Sequence, residues 1–185
     1  MREPKVKDLM IPLSQYVTVS EDASLFDAVA TLRQVKQSFD QDKDHPRAIL
    51  VLDKAGAVIG KLSQWDVIRG LDPKYNEIGH IQGTSQLAFT SDFIRSQVKK
   101  YGLWEHPLGD LCSKASRIKV KDIMYKPGKG EYVSEDASLD EAVHQMIIGY
   151  HQSLLVRQGK NIIIGILRLS DVFREVCDMI MACPA

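Results

Sequence analysis

The chain contains a copy of itself. Val6-Lys7-Asp8-Leu9-Met10 returns as Val120-Lys121-Asp122-Ile123-Met124, displaced by 114 positions from 6 to 120. The same displacement lays Val19-Ser20-Glu21-Asp22-Ala23-Ser24-Leu25 on Val133-Ser134-Glu135-Asp136-Ala137-Ser138-Leu139 without a mismatch. A run of identity that long, in register, marks a duplication, and internal repetition constrains the fold before any local pattern is considered.

Each copy then reads in the same order. A short β-rich run, Val17-Thr18-Val19 or Tyr132-Val133, precedes an amphipathic helix. Leu25, Ala28, Val29 and Leu32 match Leu139, Ala142, Val143 and Met146 at the i, i+3, i+4, i+7 spacing of one apolar stripe. Ser24 with Asp27, and Ser138 with Glu141, stand at capping-box spacing. Two apolar runs follow, Ile49–Leu52 and Val58–Leu62 in one copy, Leu154–Val156 and Ile162–Leu167 in the other. Asp53–Gly56 and Arg157–Asn161 between them read as hairpin turns. A final helix starts near Asp66 or Asp171, where the displacement has fallen to 105, from 66 to 171. The first copy thus carries an extra polar loop around Gln37 to His45. Residues from Leu71 to Arg117 are not repeated. There Ser91 to Tyr101 is predicted helical, with Ile94, Val98 and Tyr101 on one face and Gly102 as its stop, and Trp104, Pro107 and Gly109 suggest an irregular connection.

Composition narrows the function. Lys plus Arg equals Asp plus Glu at 24 each, so the chain lacks the basic bias of a dedicated nucleic-acid or anionic-membrane binder. Cys112, Cys177 and Cys183 form no Cys-x-x-Cys pair and no zinc-ligand spacing with histidine. The charged start Met1-Arg2-Glu3-Pro4-Lys5 is followed by no signal-peptide core, and no run approaches the ~18 apolar residues of a membrane span. Cys183-Pro184-Ala185 is no prenylation box. The expected setting is cytoplasmic and reducing.

The β-α-β-β-α order, doubled, with Asp-[Leu/Ile]-Met at each entrance and Gly60…Asp66 or Gly165…Asp171 at each exit, resembles a tandem pair of CBS (cystathionine beta-synthase) domains. The resemblance implies a mixed α/β (α+β) fold of two βαββα repeats packed about a pseudo-twofold axis. Domain 1 would span 4–72, a helical or irregular insert 73–117, and domain 2 would span 118–182. It further implies a cleft that binds an adenosine-containing ligand, AMP, ADP, ATP or S-adenosylmethionine. The ligand would be regulatory, with no cofactor required. A homodimer, an unidentified effector protein and no catalytic residues also follow from it. Carried over residue by residue, Asp66 and Asp171 would hold ribose hydroxyls. Ser63, and Arg168 or Ser170 in the second copy, would face phosphate. Thr18-Val19 would form the purine slot facing Asp171, and Tyr132-Val133 the slot facing Asp66. Pro46-Arg47 and His151-Gln152 occupy the places of the family's frequent His-Arg pair, so neither copy carries that pair in full. One competent site is expected rather than two.

Simpler readings stand beside these. Ser63 and Asp66 also have the spacing of a helix cap and its partner, and Arg168 could be a surface ion-pair residue. A ligand-free scaffold, its cleft filled by side chains such as Tyr132 and Trp65, is the alternative function. Asp40-x-Asp42-x-Asp44 lacks the Gly and Glu of an EF-hand, and Pro127-Gly128-Lys129-Gly130 lacks Walker spacing. Lys99-Lys100-Tyr101 with Trp104 is the only basic-aromatic cluster of the insert and reads as a helix end. Met179 and Met181 with Val172, Phe173, Val176 and Ile180 form a stripe suited to core or dimer packing.

Overall fold

A computed structural model describes residues 4–38, 46–72, 74–77, 90–103 and 110–182. The first copy opens with α1 (Val6–Leu9) and β1 (Ile11–Pro12), followed by β2 (Thr18–Ser20), α2 (Leu25–Ser38), β3 (Ala48–Leu52), β4 (Val58–Ser63) and α3 (Gln64–Gly70). Between the copies lie α4 (Lys74–Glu77), α5 (Ser91–Tyr101) and α6 (Leu111–Arg117). The second copy runs through α7 (Val120–Ile123), β5 (Tyr132–Ser134), α8 (Leu139–Gly149), β6 (Ser153–Gln158), β7 (Ile162–Arg168) and α9 (Leu169–Met181). The expected aspartate loop, Trp104, Pro107, Gly109 and the Cys183 tail fall outside the described residues.

Local chemistry sets the boundaries. The Ser24 hydroxyl accepts from Asp27 N at 3.1 Å, and Ser138 accepts from Glu141 N at 3.2 Å, starting α2 and α8. Asp53 turns the first hairpin by accepting from Ala55 N and Ala57 N, at 2.8 and 2.9 Å. The Thr90 side chain caps α5, which ends at Gly102. β2 lies parallel to β3, which pairs antiparallel with β4, and β5, β6 and β7 repeat that arrangement.

The entrance segments bind the opposite repeat. Val6 N donates to Ala137 O at 3.0 Å, Lys7 N to Glu135 O at 3.0 Å, and Pro4 O accepts from Leu139 N at 3.1 Å. The mirror set is Val120 N to Ala23 O at 3.0 Å, Lys121 N to Glu21 O at 3.0 Å, and Leu25 N to Ile118 O at 2.9 Å. Val6 is fully buried among Val133, Leu139, Ala142 and Leu154 of the second repeat. Val120 is fully buried among Leu25, Ala28, Ile49 and Leu62 of the first. Exposed ion pairs flank both exchanges, Lys7 with Asp136 at 2.8 Å and Lys121 with Asp22 at 2.9 Å. Hydrogen bonding to its partner lysine lowers each aspartate pKa and raises that of the lysine. Exposed pairs of this kind add little to stability, so apolar burial and the backbone bonds hold the exchange.

The exchange continues into the sheets. β1 adds to the edge of the second repeat's sheet, giving the order β1-β7-β6-β5, beside the three-stranded β2-β3-β4. On the other side Lys61 and Tyr125 form a single bridge. The crossing chain passes so close that both strands need glycine there. A Cβ on Gly165 would lie 2.4 Å from Ile11 O, and one on Gly60 2.7 Å from Met124 Sδ.

The two sheets meet through one cross-strand row from each. Register aligns Tyr132, Leu155, Ile166 and Ile11 in one, and Thr18, Leu50, Lys61 and Tyr125 in the other. Leu50, Leu155 and Ile166 are buried together, with Ile11, Leu13, Tyr16 and Tyr132 packed on them. Lys61 breaks the apolar row. Its Nζ meets Glu131 Oε2 at 2.6 Å, with side chains 11% and 7% exposed. Tyr125 OH and Gly128 N donate to Glu131 Oε1 at 2.5 and 2.9 Å, so both carboxylate oxygens are satisfied. Burial opposes ionisation of Glu131, but the hydrogen bonds from Lys61, Tyr125 and Gly128, with the Lys61 charge, hold its pKa below the usual value.

Two expectations follow for urea unfolding. Gly165→Ala costs about 1–3 kcal/mol because the obstructing atom is backbone, and more than Gly60→Ala, where a flexible methionine can yield. Lys61→Met strands a buried carboxylate and costs about 3 kcal/mol, whereas Lys61→Met with Glu131→Leu is near neutral. The depressed Glu131 pKa means that its contribution is complete above pH 4.5 and lost as pH falls through the lower folded-state value. Stability measured from pH 7 down to pH 3 therefore drops further in the native chain than in the double variant.

Candidate functional site at the start of the exit helices

Each unit ends by passing from its last strand directly into a helix, and the first turn of that helix carries a buried aspartate. Asp66 is 7% exposed and Asp171 8%. Burying a carboxylate requires that its oxygens be paired, and the copies do this differently. Asp66 Oδ2 accepts from Ser63 N at 2.8 Å and Ser63 Oγ at 2.6 Å, while Ser63 Oγ accepts from Asp66 N at 3.3 Å. That is a complete capping box, and Arg69 Nη2 adds a contact to Oδ1 at 3.1 Å. In the second copy Arg168 stands in the serine's place and offers no cap to the backbone. Its guanidinium instead forks onto Asp171, Nε to Oδ2 at 2.5 Å and Nη2 to Oδ1 at 2.6 Å. Arg174 Nη2 reaches the same Oδ1 at 3.1 Å.

A carboxylate offers about four lone-pair sites, and each aspartate has three donors. One site on each carboxylate is thus left over, and the outermost donor to each is an exposed arginine: Arg69 is 44% exposed and Arg174 56%.

The other expected site residues divide between the two mouths. Arg47 O accepts from Gln64 N at 3.4 Å, and Ala48 pairs with Ser63, bringing Arg47 to the start of α3. Gln152 O accepts from Leu169 N at 3.0 Å, and Ser153 pairs with Arg168, placing Gln152 and Ser170 beside Asp171. Thr18 and Val19 lie half-buried along β3, with Val19 against the first repeat's core. Tyr132 lies in the row between the sheets, whereas the Val133 side chain is only 2% exposed inside the second repeat's core, leaving it no side-chain surface for a purine. The His151 ring fills the space beside Gly149 and approaches Gly130, and His151 N closes α8 on Met146 O. Trp65 does not fill the cleft: it is 84% exposed, because the capping geometry of α3 turns it outward.

The residues that sequence reasoning passed over lie deeper. Side chains two apart on a strand share a face, so Lys61 lies inward of Ser63 and Ile166 inward of Arg168. Beyond Asp66 the wall is therefore Lys61, Glu131 and Tyr125. Hydrogen bonding to Glu131, burial and the charges of Glu131 and Asp66 push the Tyr125 hydroxyl up to about 12. Beyond Asp171 the wall is Ile166 with Ile11, Leu13 and Tyr16. Tyr16 OH donates to Ala48 O at 2.9 Å; burial, against the Arg168 charge and with that of Asp171, raises its pKa to about 12. Comparing the copies would have shown the difference. Lys61 aligns with Ile166, displaced by 105, and Glu131 with Val17, displaced by 114.

Two grooves open on the surface of the paired repeats. One, of about 580 Å³, is lined by Glu21, Ile59, Lys121, Asp122, Met124 and Lys126. The other, of about 500 Å³, is lined by residues including Val58, Tyr132, Arg157 and Lys160. Neither is lined by Asp66 or Asp171. Among the described residues no group of three or more His, Cys, Asp or Glu could hold a metal ion, and no helix is long and apolar enough to cross a membrane.

Comparison with known proteins agrees with this architecture. The CBS-domain model matches residues 6–72 and 120–178. A search of curated protein sequences found no match. Among solved structures, the chain resembles the CBS-pair protein CBSX2 from Arabidopsis thaliana, with 19% identity and a TM-score of 0.61 over 98% of this chain and 100% of that one. It resembles CBSX2 in complex with AMP, with 19% identity and a TM-score of 0.58 over 95% and 97%. It also resembles the CBS domain of a bacterial CNNM/CorC family Mg2+ transporter in complex with ATP, with 14% identity and a TM-score of 0.59 over 94% and 87%. With two matched regions that together span most of its length, and with the fold of CBS pairs, the chain belongs to the CBS-domain family.

Proposed function

We propose that this chain is a regulatory, non-catalytic CBS pair, with CBS domains at 4–72 and 118–182, that binds an adenosine-containing ligand between its repeats and signals to a protein partner. One observation carries the reading. Asp171 is a buried carboxylate in the first turn of α9, held by a bidentate arginine at the mouth of an apolar wall from both repeats. A nucleoside phosphate calls for that combination: an acceptor for the ribose, a cation within reach of phosphate, and an apolar surface for the base. The AMP and ATP complexes of similarly folded proteins support it.

Because Asp171 belongs to one repeat, and Ile11, Leu13 and Tyr16 to the other, a ligand here touches both. It biases the arrangement of the repeats by as much as its affinity differs between arrangements. The output surface is the outer face of α3 and α9. Ile68 and Phe173, related by the 105-residue displacement, are 52% and 67% exposed, and Trp65, Ile180 and Met181 extend the patch. A second copy of the chain or an effector protein would cover it.

The test is a thermal-shift series with AMP, ADP, ATP and S-adenosylmethionine. A ligand at about 100 times its Kd adds roughly 2.7 kcal/mol, or about 5–10 °C at this chain length. Asp171→Ala abolishes the shift. No shift with any of the four rejects the sensor reading in favour of a ligand-free scaffold. Light scattering tests the surface: Phe173→Glu converts dimer to monomer, and an unchanged mass rules out pairing through α9.

A further inference from the structure

We infer that the two clefts have been assigned different work: the Lys61–Glu131–Tyr125 cluster permanently fills the cleft behind Asp66, so the chain takes one nucleotide, at Asp171. The inference rests on the reading of Asp171 as a ligand residue, and adds which side chains set stoichiometry and site choice.

The argument is a comparison of one molecule with itself. At both mouths a buried aspartate has three donors, so the mouths do not differ in acceptor capacity. The interiors do. Behind Asp171 the wall is apolar: Ile166 is itself only 1% exposed, and the partly exposed Ile11, Leu13 and Tyr16 packed on it are the side chains a flat heteroaromatic ring would meet. Behind Asp66 the same positions of the fold hold Lys61 and Tyr125, and Glu131 spans from the second repeat to meet them. Glu131 replaces Val17, which packs in its own repeat's core, so the carboxylate is an addition to the interface. The cluster has closed hydrogen bonding: Lys61 to one oxygen, Tyr125 OH and Gly128 N to the other. A base entering there would separate a buried ion pair, stripping Lys61 of its carboxylate partner and leaving the Glu131 charge to Tyr125 and Gly128 alone, whereas at Asp171 it displaces no charge from the interior wall.

Isothermal titration of the full-length chain with AMP tests this by grafting one wall onto the other. The native chain should bind about one AMP, lost in Asp171→Ala and retained in Asp66→Ala. Lys61→Ile with Glu131→Val imports the apolar residues of the opposite copy and should raise the stoichiometry to about two. Adding Asp66→Ala to that variant should return it to about one. If the graft does not keep the native circular dichroism, Lys61→Met with Glu131→Gln keeps an acceptor for Tyr125 and Gly128 while removing both charges, and carries the same expectation. A native stoichiometry of about two, or a folded graft that stays at one, overturns the inference and leaves the functional reading intact. Binding that appears only in the graft, and depends on Asp66, supports the plug and overturns Asp171 as the native site. No AMP binding to either protein overturns the inference, and the functional reading falls with it when ADP, ATP and S-adenosylmethionine also give no thermal shift.

Discussion

The structure depends on a reciprocal loan of apolar side chains. Val6 completes the core of the second repeat and Val120 that of the first, each delivered by a one-turn helix and fixed by three backbone hydrogen bonds. With the chain of one repeat laid along the sheet of the other, Gly60 and Gly165 are needed where the strands are crossed, and β1 has a sheet edge to join. The exchange also brings two cross-strand rows face to face, and so builds the packed seam between the sheets. This accounts for where the copies stayed alike. The identical stretches Val19–Leu25 and Val133–Leu139 contain the receiving surfaces, with Glu21, Asp22 and Ala23 or Glu135, Asp136 and Ala137 in contact with the incoming segment. Each repeat is both plug and socket for the other.

Within that symmetric frame the interior departs from symmetry where chemistry would be read out. A buried ion pair adds little net stability relative to an apolar alternative, since desolvation offsets its attraction. What Lys61 and Glu131 add is definition. They tie β4 of one repeat to the segment before β5 of the other at a fixed distance, and Tyr125 and Gly128 leave the carboxylate no other partner. The opposite side is held by aliphatic packing, which tolerates small sliding motions more readily than a closed hydrogen-bond set does. One side of the interface is therefore tied by hydrogen bonds and charge, and the other by apolar contact alone.

How far these features were legible follows from the range of the interactions involved. The βαββα order, the Ser24 and Ser138 caps, the Asp53 turn and the limits of α5 depend on neighbours a few residues away, and all are visible in the chain. The strands begin or end within a residue or so of the apolar runs that marked them. For Asp66 the sequence could not decide between cap and ligand residue, and it turns out to be a complete cap; Asp171, with no Ser or Thr three residues before it, read more readily as a ligand residue. Arg168 read more readily as a solvated or ion-paired surface residue than as a phosphate ligand, and its fork onto Asp171 is a three-residue contact whose geometry depends on how β7 enters α9. The exchange itself joins residues 93 to 135 positions apart and leaves no periodic trace. Lys61 inside an apolar run and Glu131 beside a glycine turn look unremarkable singly. They become meaningful when each is set against its counterpart in the other copy, Ile166 and Val17.

The loan of Val120 also has a consequence in time. During synthesis the first repeat is covalently finished at about residue 72, yet its core lacks Val120 and Ile118 until the chain has grown through the insert. At ~5–20 residues per second that interval is a few seconds. Through it the pocket among Leu25, Ile49 and Leu62 stands open beside a nascent sheet. The second repeat has no such delay, because Val6 has been waiting since the first residues emerged. Maturation of the two halves is thus ordered by the ribosome: the half made first is the half that must wait, and α6, which packs against α2, arrives only as that wait closes, three residues ahead of Val120.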